Sequence, residues 1–577
     1  MFSYSKESRK CFDWLNIQIT NKNQALILKS SLAVCWILTT VVFGTIIYTI
    51  PRGFDLSDES FYWMGYKNPD QFVYVGFFQW LGDFFIIEGK HEIKILRGIR
   101  LLLHLISSFF LYASVKYFLK RKGHVNPGMR LLLPLLLLGN FASYTIGPQS
   151  LSYNHMVLIL LQIEAGIIFY ILGNNNERST LLICWLGLAI AHPLLFLAKF
   201  PTAFIFLFFW PVLLLLYPQQ KSWKTSILCF LCLLFPLFFL GRSPANLNNF
   251  LMEYEAYSRT MTSHNPINLI LKLWNSSHQF FIEIIKHNLK IDRLILLLFL
   301  IYLKFPRTRI GIILAISWLL LSFNNYFNHF EQHGFFPYQS LWIDLIIIGL
   351  FFQAYISIKE AFLILAILLI PFGASIGTNN NIFTQITFYV PFFILSAFLL
   401  KSHFGKAFGN LALILATGII CYSFLMVYWK HPYRLNTSYS QQNTTFNIPH
   451  SGENILMDCE TAQGLNALNM LLKKNNINPA NHYLCSYSGM MGAGLLLGYN
   501  APVHSWNDAK EMEYNRYCWS KESLKKDKSF IWLSGSKKDT YPSFLNKTAC
   551  FGELLGAVDL IVYQKKQRVF AYRVHWL

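Results

Sequence analysis

The sequence predicts a multi-pass α-helical membrane protein, with about 11–13 transmembrane helices, that ends in a soluble α/β domain. Three observations predict it. First, 54% of the 577 residues are hydrophobic and only 14% are charged, against about a quarter charged in an ordinary soluble domain. Second, the mean hydropathy is +0.37, and a single soluble core stops growing at about 250–300 residues, so lipid must solvate much of this chain. Third, Lys and Arg cluster in short segments between apolar runs. The net charge of +20 therefore reads as topology. No domain-sized basic patch exists to bind nucleic acid.

The first apolar run is Ser31 to Ile50, preceded by Lys6, Arg9, Lys10, Lys22 and Lys29. At about 1.5 Å per residue it matches the roughly 30 Å hydrocarbon layer. It ends in Tyr-Thr-Ile-Pro-Arg rather than in the small residues of a cleavage site, so it is expected to remain as a signal anchor. Further runs follow at 99–119, 131–147, 154–172, 180–198, 202–217, 225–241, 292–304, 310–323, 340–356, 361–376, 386–400 and 407–428. Pro134, Pro193 and Pro236 mark kinked or broken helices among them.

Charge bias orients these runs. With the N-terminus cytoplasmic, the inside segments hold Lys116, Lys120, Arg121, Lys122 and Arg130, then Lys221 and Lys224, Lys304, Arg307 and Arg309, Lys359, and Lys401 and Lys406. The short outside loops 143–154, 324–339 and 377–385 hold no Lys or Arg. Such a bias is the positive-inside pattern. An odd number of spans then puts residues 429–577 outside, in a periplasm or its equivalent. The division is thus 1–428 in the membrane and 429–577 beyond it.

The tail reads as mixed α/β. Strands are expected at Asn454–Asp458, His482–Tyr487, Phe530–Ser534, Val558–Tyr563 and Val569–Val574, with helices near 461–474 and 508–526. Cys459, Cys485, Cys518 and Cys550 lie there and would allow two disulfides in an oxidising compartment, by any of three connectivities, or stand as four free thiols in a buried core; no close Cys spacing suggests zinc.

The loop after the first run reads Pro51-Arg-Gly-Phe-Asp55-Leu-Ser-Asp58-Glu59-Ser-Phe-Tyr62-Trp63. Two adjacent acids in a low-dielectric cleft repel, so one can hold a proton while its neighbour stays ionised and serves as a base. Capping a helix that begins near Ser60 is the plainer role for the pair. Trp63, Tyr66, Phe72, Tyr74, Phe77, Phe78, Trp80, Phe84 and Phe85 follow, a density suited to helices lying in the membrane interface.

With the first-run helix before it, Asp58-Glu59-Ser60-Phe61-Tyr62 resembles the glycosyltransferase C superfamily, which includes the protein O-mannosyltransferases and the lipid A aminoarabinose transferases. The resemblance extends to interfacial helices in the first outer loop and a C-terminal soluble domain outside. It implies an inverting sugar transfer from a polyprenyl-phosphate donor to a glycan, lipid or protein acceptor. The reaction would take place at the outer face of a bacterial cytoplasmic membrane. It also implies Asp58 as general base on the acceptor, with Glu59 as runner-up or orienting partner. Tyr62 belongs to the same motif.

Three further segments resemble bacterial members of this superfamily: Leu151-Ser-Tyr153-Asn154, Leu197-Ala-Lys199-Phe-Pro201-Thr202 and Gly377-Thr-Asn379-Asn380-Asn381. Tyr153, Asn154, Asn379 and Asn380 could hydrogen-bond a sugar or phosphate, while turn chemistry explains the Asn and Gly residues equally well. The chain departs from the aminoarabinose transferases in the second outer loop, where those enzymes carry another acid. Residues 143–155 have none and offer Asn154 and His155.

A phosphate-linked donor needs a cation near the outer interface. Lys199 is the one charge between two apolar runs, an expensive position unless it functions or snorkels. Arg242 and Arg259 lie in the long outer loop 242–291 and could clamp a phosphate, or simply be solvated. His329, Glu331 and His333 are spaced for metal but sit in a loop rich in Asn, Gly and Phe. A substrate contact through His333 fits that setting better than a metal site, a simple polar interfacial loop fits it best, and no metal or cofactor is required. His192, before Pro193, is expected to be packed inside the bundle.

Two other classes compete. An O-antigen polymerase or ligase would rely on Arg and His in two large outer loops, without the first-loop acid pair. A transporter or flippase would call for paired ionisable groups at mid-depth and an internal repeat, and neither stands out along the chain.

Overall fold

The computed structural model describes residues 21–67, 92–123, 127–174, 178–217, 222–241, 358–377, 385–401, 417–449 except 419 and 423, 451–486, 489–500, 530–535 and 549–576. It is mostly helical, with a small sheet region at the C-terminal end. Helix α1 spans Asn21–Thr49, α2 Asp58–Lys67, α3 Glu92–Arg121, α4 Leu132–Ala142, α5 Tyr153–Gly173, α6 Arg178–Ala198, α7 Phe200–Leu216 and α8 Ser222–Gly241. Then come α9 at Ile358–Ser375, α10 at Val390–Lys401 and a π-helical segment at Phe424–Lys430.

Among the described residues, four helices are long and apolar enough to cross a membrane: Leu28–Thr49 within α1, Glu92–Arg121, Tyr153–Gly173 and Leu181–Ala198 within α6. Shorter apolar helices cover Phe200–Leu216, Trp223–Leu234 and Thr387–Leu400. The apolar runs expected at 292–304, 310–323 and 340–356 lie outside the described residues.

These helices bury one face and leave the other greasy. Ile37 and Val41 on α1, Leu102 and Ile106 on α3, Ile183 and Ile190 on α6, and Phe204 and Leu215 on α7 are all exposed. In water such a belt would be an aggregation surface; in a bilayer it is the lipid face. Helix α5 has no such face, being 89% buried along its most apolar stretch, and packs against α3, α6 and α7. Its polar side chains therefore need partners inside the bundle. Gln162 and Asn140 of α4 exchange amide hydrogen bonds at 3.0 and 3.1 Å, and Ser107 of α3 donates to Gln162 at 2.7 Å.

The C-terminal region adds two sheets. Strands β1 (Thr444–Asn447) and β2 (Asn454–Met457) form an antiparallel pair. Helix α11 (Cys459–Lys474) follows, capped by Asp458, whose carboxylate accepts from Thr461 N at 2.9 Å. Strand β3 (Tyr483–Ser486), the short helix α12 (Met491–Leu496), β4 (Phe530–Ser534), β5 (Ala549–Val562) and β6 (Lys565–Trp576) complete it. The second sheet runs β3-β4-β6-β5, with β3 parallel to β4 and the other pairs antiparallel. Every residue of β4 is buried, as befits an interior strand. Tyr563 and Gln564 turn the β5–β6 hairpin, both at positive φ, as a two-residue primed turn requires.

All five expected strands occur, the last two longer than predicted, and the helix near 461–474 is α11. The helix near 508–526 lies outside the described residues. One expectation is corrected: Cys459 is an exposed thiol at the start of α11 and joins no bridge. Cys485 is buried in β3, and Cys518 lies outside the described residues. Of the aromatics in the first loop, Phe61, Tyr62, Trp63 and Tyr66 on α2 are all buried, with Trp63 donating to Glu92 at 3.0 Å and Tyr66 to Leu151 O at 2.7 Å. Residues 68–91, which hold the other aromatics of that loop, lie outside the described residues.

The C-terminal region is joined to the bundle by backbone. Gly53 N donates to Leu456 O at 2.7 Å and Leu456 N to Pro51 O at 2.8 Å, so the chain leaving α1 lies along β2 as a short parallel strand. Glu453 accepts from Ile93 N at 3.3 Å and Lys94 N at 3.2 Å, satisfying N–H groups that the start of α3 cannot pair internally.

Candidate functional site

The loop leaving α1 turns on Asp55. Its Oδ1 accepts from Ser57 N at 2.9 Å and Ser57 Oγ at 2.5 Å, and its Oδ2 from the N–H groups of Asp58 at 2.8 Å and Glu59 at 3.3 Å. Those last two donors open α2, so Asp55 is its cap. The two following acids are released from capping. Burial and the neighbouring Asp58 carboxylate push Asp55 up to about 6, against the pull of Arg434 and Ser57.

Glu59 points inward. Arg97 of α3 grips it at two points, Nε to Oε1 at 2.8 Å and Nη2 to Oε2 at 2.7 Å. Ser150 adds its N–H at 3.1 Å and its hydroxyl at 2.6 Å. Arg97 spends its remaining donors on the carbonyls of Ile50 (2.6 Å), Arg52 (3.0 Å) and Gly53 (2.6 Å), just past the end of α1. One turn on, Arg100 holds the 143–149 loop through Pro148 O at 2.6 Å and Ser143 Oγ at 3.1 Å, with its guanidinium 3.5 Å from the Tyr144 ring centroid. Glu59 is thus a fixed anchor between the loop after α1 and the 143–150 loop, and its carboxylate is committed.

Asp58 points the other way and is a quarter exposed. Tyr433 donates to its Oδ2 at 2.6 Å, and Arg434 Nη1 to its Oδ1 at 2.7 Å and to Ser57 Oγ at 2.7 Å. Burial works against the charge on Arg434, but Asp58, Tyr433 and Asp55 hold its pKa above the usual range. The guanidinium carbon lies 4.9 Å from the ring centroids of Tyr433 and Tyr563, the latter at the tip of the β5–β6 hairpin. The other side of the acid loop meets α12. Gly492 N donates to Leu56 O at 2.8 Å, and a Cβ at Gly492 would stand 2.1 Å from Ser60 Oγ. Only glycine allows that approach.

A row of rings leads from Asp58 into the bundle end. Tyr62 and Tyr153 have centroids 6.2 Å apart. Burial, then Tyr153 and Asp58, hold the Tyr62 phenol well above its ordinary range, so it stays a neutral hydrogen-bonding group. Tyr66 Oη donates to Leu151 O at 2.7 Å. Beyond Tyr153 stands Tyr389, whose hydroxyl donates to Ala374 O at 3.4 Å. The same carbonyl accepts from Lys199 Nζ at 2.6 Å and Thr202 Oγ1 at 3.2 Å.

Lys199 is 6% exposed and lies extended between α6 and α7. Among the described residues it has that one acceptor for three N–H donors and no carboxylate within ion-pair distance. Gly377, at φ +84°, closes over Pro201, whose ring atoms would meet an added Cβ at 2.8 Å. The second and third segments singled out in the sequence therefore touch.

Of the residues that the sequence singled out, Asp58, Glu59, Tyr62, Tyr153, Asn154 and Lys199 gather at one end of the bundle. Asn154 is buried in the first turn of α5, and its Oδ1 has no hydrogen-bond partner among the described residues. Arg242, Arg259, His333, Asn379 and Asn380 lie outside the described residues. The sequence reading did not single out Arg97, Arg100, Tyr433 or Arg434 as site residues, nor Asp55 as the cap. Arg97 and Arg100 carried a signal, since they stand in the first turns of an apolar helix, where a charge is costly unless it is paired. Gln385, fully buried with both amide atoms unpartnered among the described residues, carried none.

One expectation about the bundle interior is corrected. Ionisable groups do pair at mid-depth: Glu164 of α5 and His192 of α6 meet at 3.0 Å, both fully buried, and Trp210 of α7 donates to the second carboxylate oxygen at 2.6 Å. Glu164 and His192 each read as an isolated polar residue in an apolar run; only helix packing brings them together.

Compared with known proteins, the chain matches no family model, no curated protein and no solved structure.

Proposed function

We propose that this protein is an inverting glycosyltransferase of a bacterial cytoplasmic membrane. It would move a sugar from a polyprenyl-phosphate donor to a cell-envelope glycan, lipid or protein at the outer face. One observation carries the reading. A partly exposed carboxylate, Asp58, and a buried ammonium with no carboxylate within ion-pair distance among the described residues, Lys199, stand at the same end of an apolar bundle, linked through Tyr62, Tyr153 and Tyr389. An uncompensated buried cation is costly, and a phosphate would neutralise it.

In this reading Asp58 takes the proton of the acceptor hydroxyl. The acceptor oxygen attacks the anomeric carbon from the face opposite the phosphate, and the bond between that carbon and the phosphate oxygen breaks. The electron pair leaves with the lipid phosphate, whose charge Lys199 offsets. Attack opposite the leaving group inverts the anomeric centre. The acceptor approaches from the exposed side of Asp58, and the lipid chain lies along the apolar helices.

The test is sugar transfer by purified protein in detergent from labelled polyprenyl-phosphate sugars, with a glycan comparison of wild-type and Asp58→Asn cells. Transfer that depends on Asp58 supports the reading. Unchanged glycans and unchanged donor pools in the variant would sink it.

A second reading, a polytopic transporter, is favoured by Glu164 and His192 alone, because such a pair can carry a proton across a bundle. It requires activity only in sealed vesicles, whereas sugar transfer proceeds in detergent.

A further inference from the structure

We propose that Arg434, together with Tyr433, is a positioning residue for Asp58, which makes the C-terminal region a working part of the site. The inference rests on the glycosyl-transfer reading above and adds who aims the base.

Three observations carry it. Both carboxylate oxygens of Asp58 receive a hydrogen bond from this one dipeptide, at 2.6 and 2.7 Å. Each oxygen keeps a further acceptor position, so the pair fixes the carboxylate plane and still leaves Asp58 able to take a proton from an acceptor hydroxyl on its exposed side. Arg434 is then held by more than Asp58. Its guanidinium faces Tyr433 and the hairpin residue Tyr563 and donates to Ser57.

The third observation is backbone geometry. Arg434 has φ +57°, a left-handed conformation that costs a non-glycine residue energy and persists where surrounding contacts over-determine it. Here those contacts converge on Asp58.

The arrangement has a chemical consequence. Two donors on two different oxygens fix both the position and the plane of the Asp58 carboxylate. A base held in plane over the acceptor needs no reorientation in the transition state. Glu59, one residue on, is tied to the bundle by Arg97. The two acids thereby hold α2 between bundle and C-terminal region, one on each side.

The experiment uses purified full-length protein and a labelled polyprenyl-phosphate sugar, with turnover, donor KM and thermal stability measured together. Arg434→Gln is expected to lower kcat by up to about a hundred-fold, the scale of a misplaced catalytic group, with donor KM unchanged. Arg434→Lys restores the charge without the fork and is expected to recover part of kcat. Tyr433→Phe removes a single oxygen, keeps the inference testable if Arg434→Gln fails to fold, and is expected to lower kcat with KM unchanged.

Wild-type kcat in Arg434→Gln or in Tyr433→Phe overturns the inference. So does a loss that follows thermal stability and is not recovered in part by Arg434→Lys. A wild type that transfers no sugar at all overturns the glycosyl-transfer reading instead. An active wild type with an inactive Asp58→Asn and an unimpaired Arg434→Gln overturns only the positioning role.

Discussion

Glu59 and Arg97 meet in a two-point ion pair, 2.8 and 2.7 Å, with 2% and 1% of their side chains exposed. Asp58, its neighbour in sequence, reaches Arg434 across a surface more than a quarter open on the arginine side. Two acids that look interchangeable in the chain therefore sit in opposite environments, and their substitutions should differ in kind. Glu59→Gln leaves the Arg97 guanidinium buried beside a neutral amide, and breaking a buried pair costs about 3–5 kcal/mol. Thermal unfolding in detergent should show a large loss for Glu59→Gln and a small one for Asp58→Asn. Equal losses would contradict the assignment of the anchor role to Glu59 alone.

Asp55 makes a prediction in pH. Its folded value is raised to about 6 from an unfolded value near 3.8, so the native state binds the extra proton between those limits. The stability contributed by this group is fully present below about 3.8 and is lost as pH rises through about 6. The upper bound is about 3 kcal/mol, since each unit is worth 1.36 kcal/mol. In Asp55→Asn the titration disappears, together with one acceptor of the α2 cap. The difference in unfolding temperature between wild type and variant should therefore change between pH 4 and pH 7. A difference flat across that window would rule the titration out.

How much of this was legible in the sequence differs between bundle and site. Spans were legible because a bilayer forces backbone groups to pair within an apolar helix. The runs at 154–172 and 180–198 came within about two residues of α5 and α6, inside the usual boundary error. The β5–β6 hairpin was only half legible. Its first strand carries irregular register between Phe551, Leu554 and Gly556, which erases the period-two pattern that announces a strand.

The acid pair was legible as a pair, yet its division was not. Glu59 is decided by an arginine 38 residues away and Asp58 by one 376 residues away, and no local spacing encodes either. The Glu164–His192 contact was hidden for the same reason, two lone polar residues on successive helices.

Orientation can be tested through Cys459, exposed at the start of α11. If the C-terminal region faces outward, a membrane-impermeant maleimide added to intact spheroplasts should label this thiol. Replacement by Ser should remove that label. Labelling only after the membrane is opened would reverse the topology and, with it, the outer-face reaction.

Lys199 separates function from stability most cleanly. Its ammonium is buried and, among the described residues, has the Ala374 carbonyl as its one acceptor and no carboxylate within ion-pair distance. Such a charge is a net cost to the folded protein that a bound anion would relieve. Lys199→Met keeps the length and apolar character of the stem and removes the charge. It is expected to leave the unfolding temperature unchanged or raise it, since replacing a buried charge by an apolar side chain is often neutral or stabilising. If the charge holds the donor phosphate, the same variant should lose sugar transfer and weaken donor binding. The signature is opposite to that of Glu59→Gln, which loses stability first. A Lys199→Met protein that transfers sugar at the wild-type rate would remove the phosphate from this position.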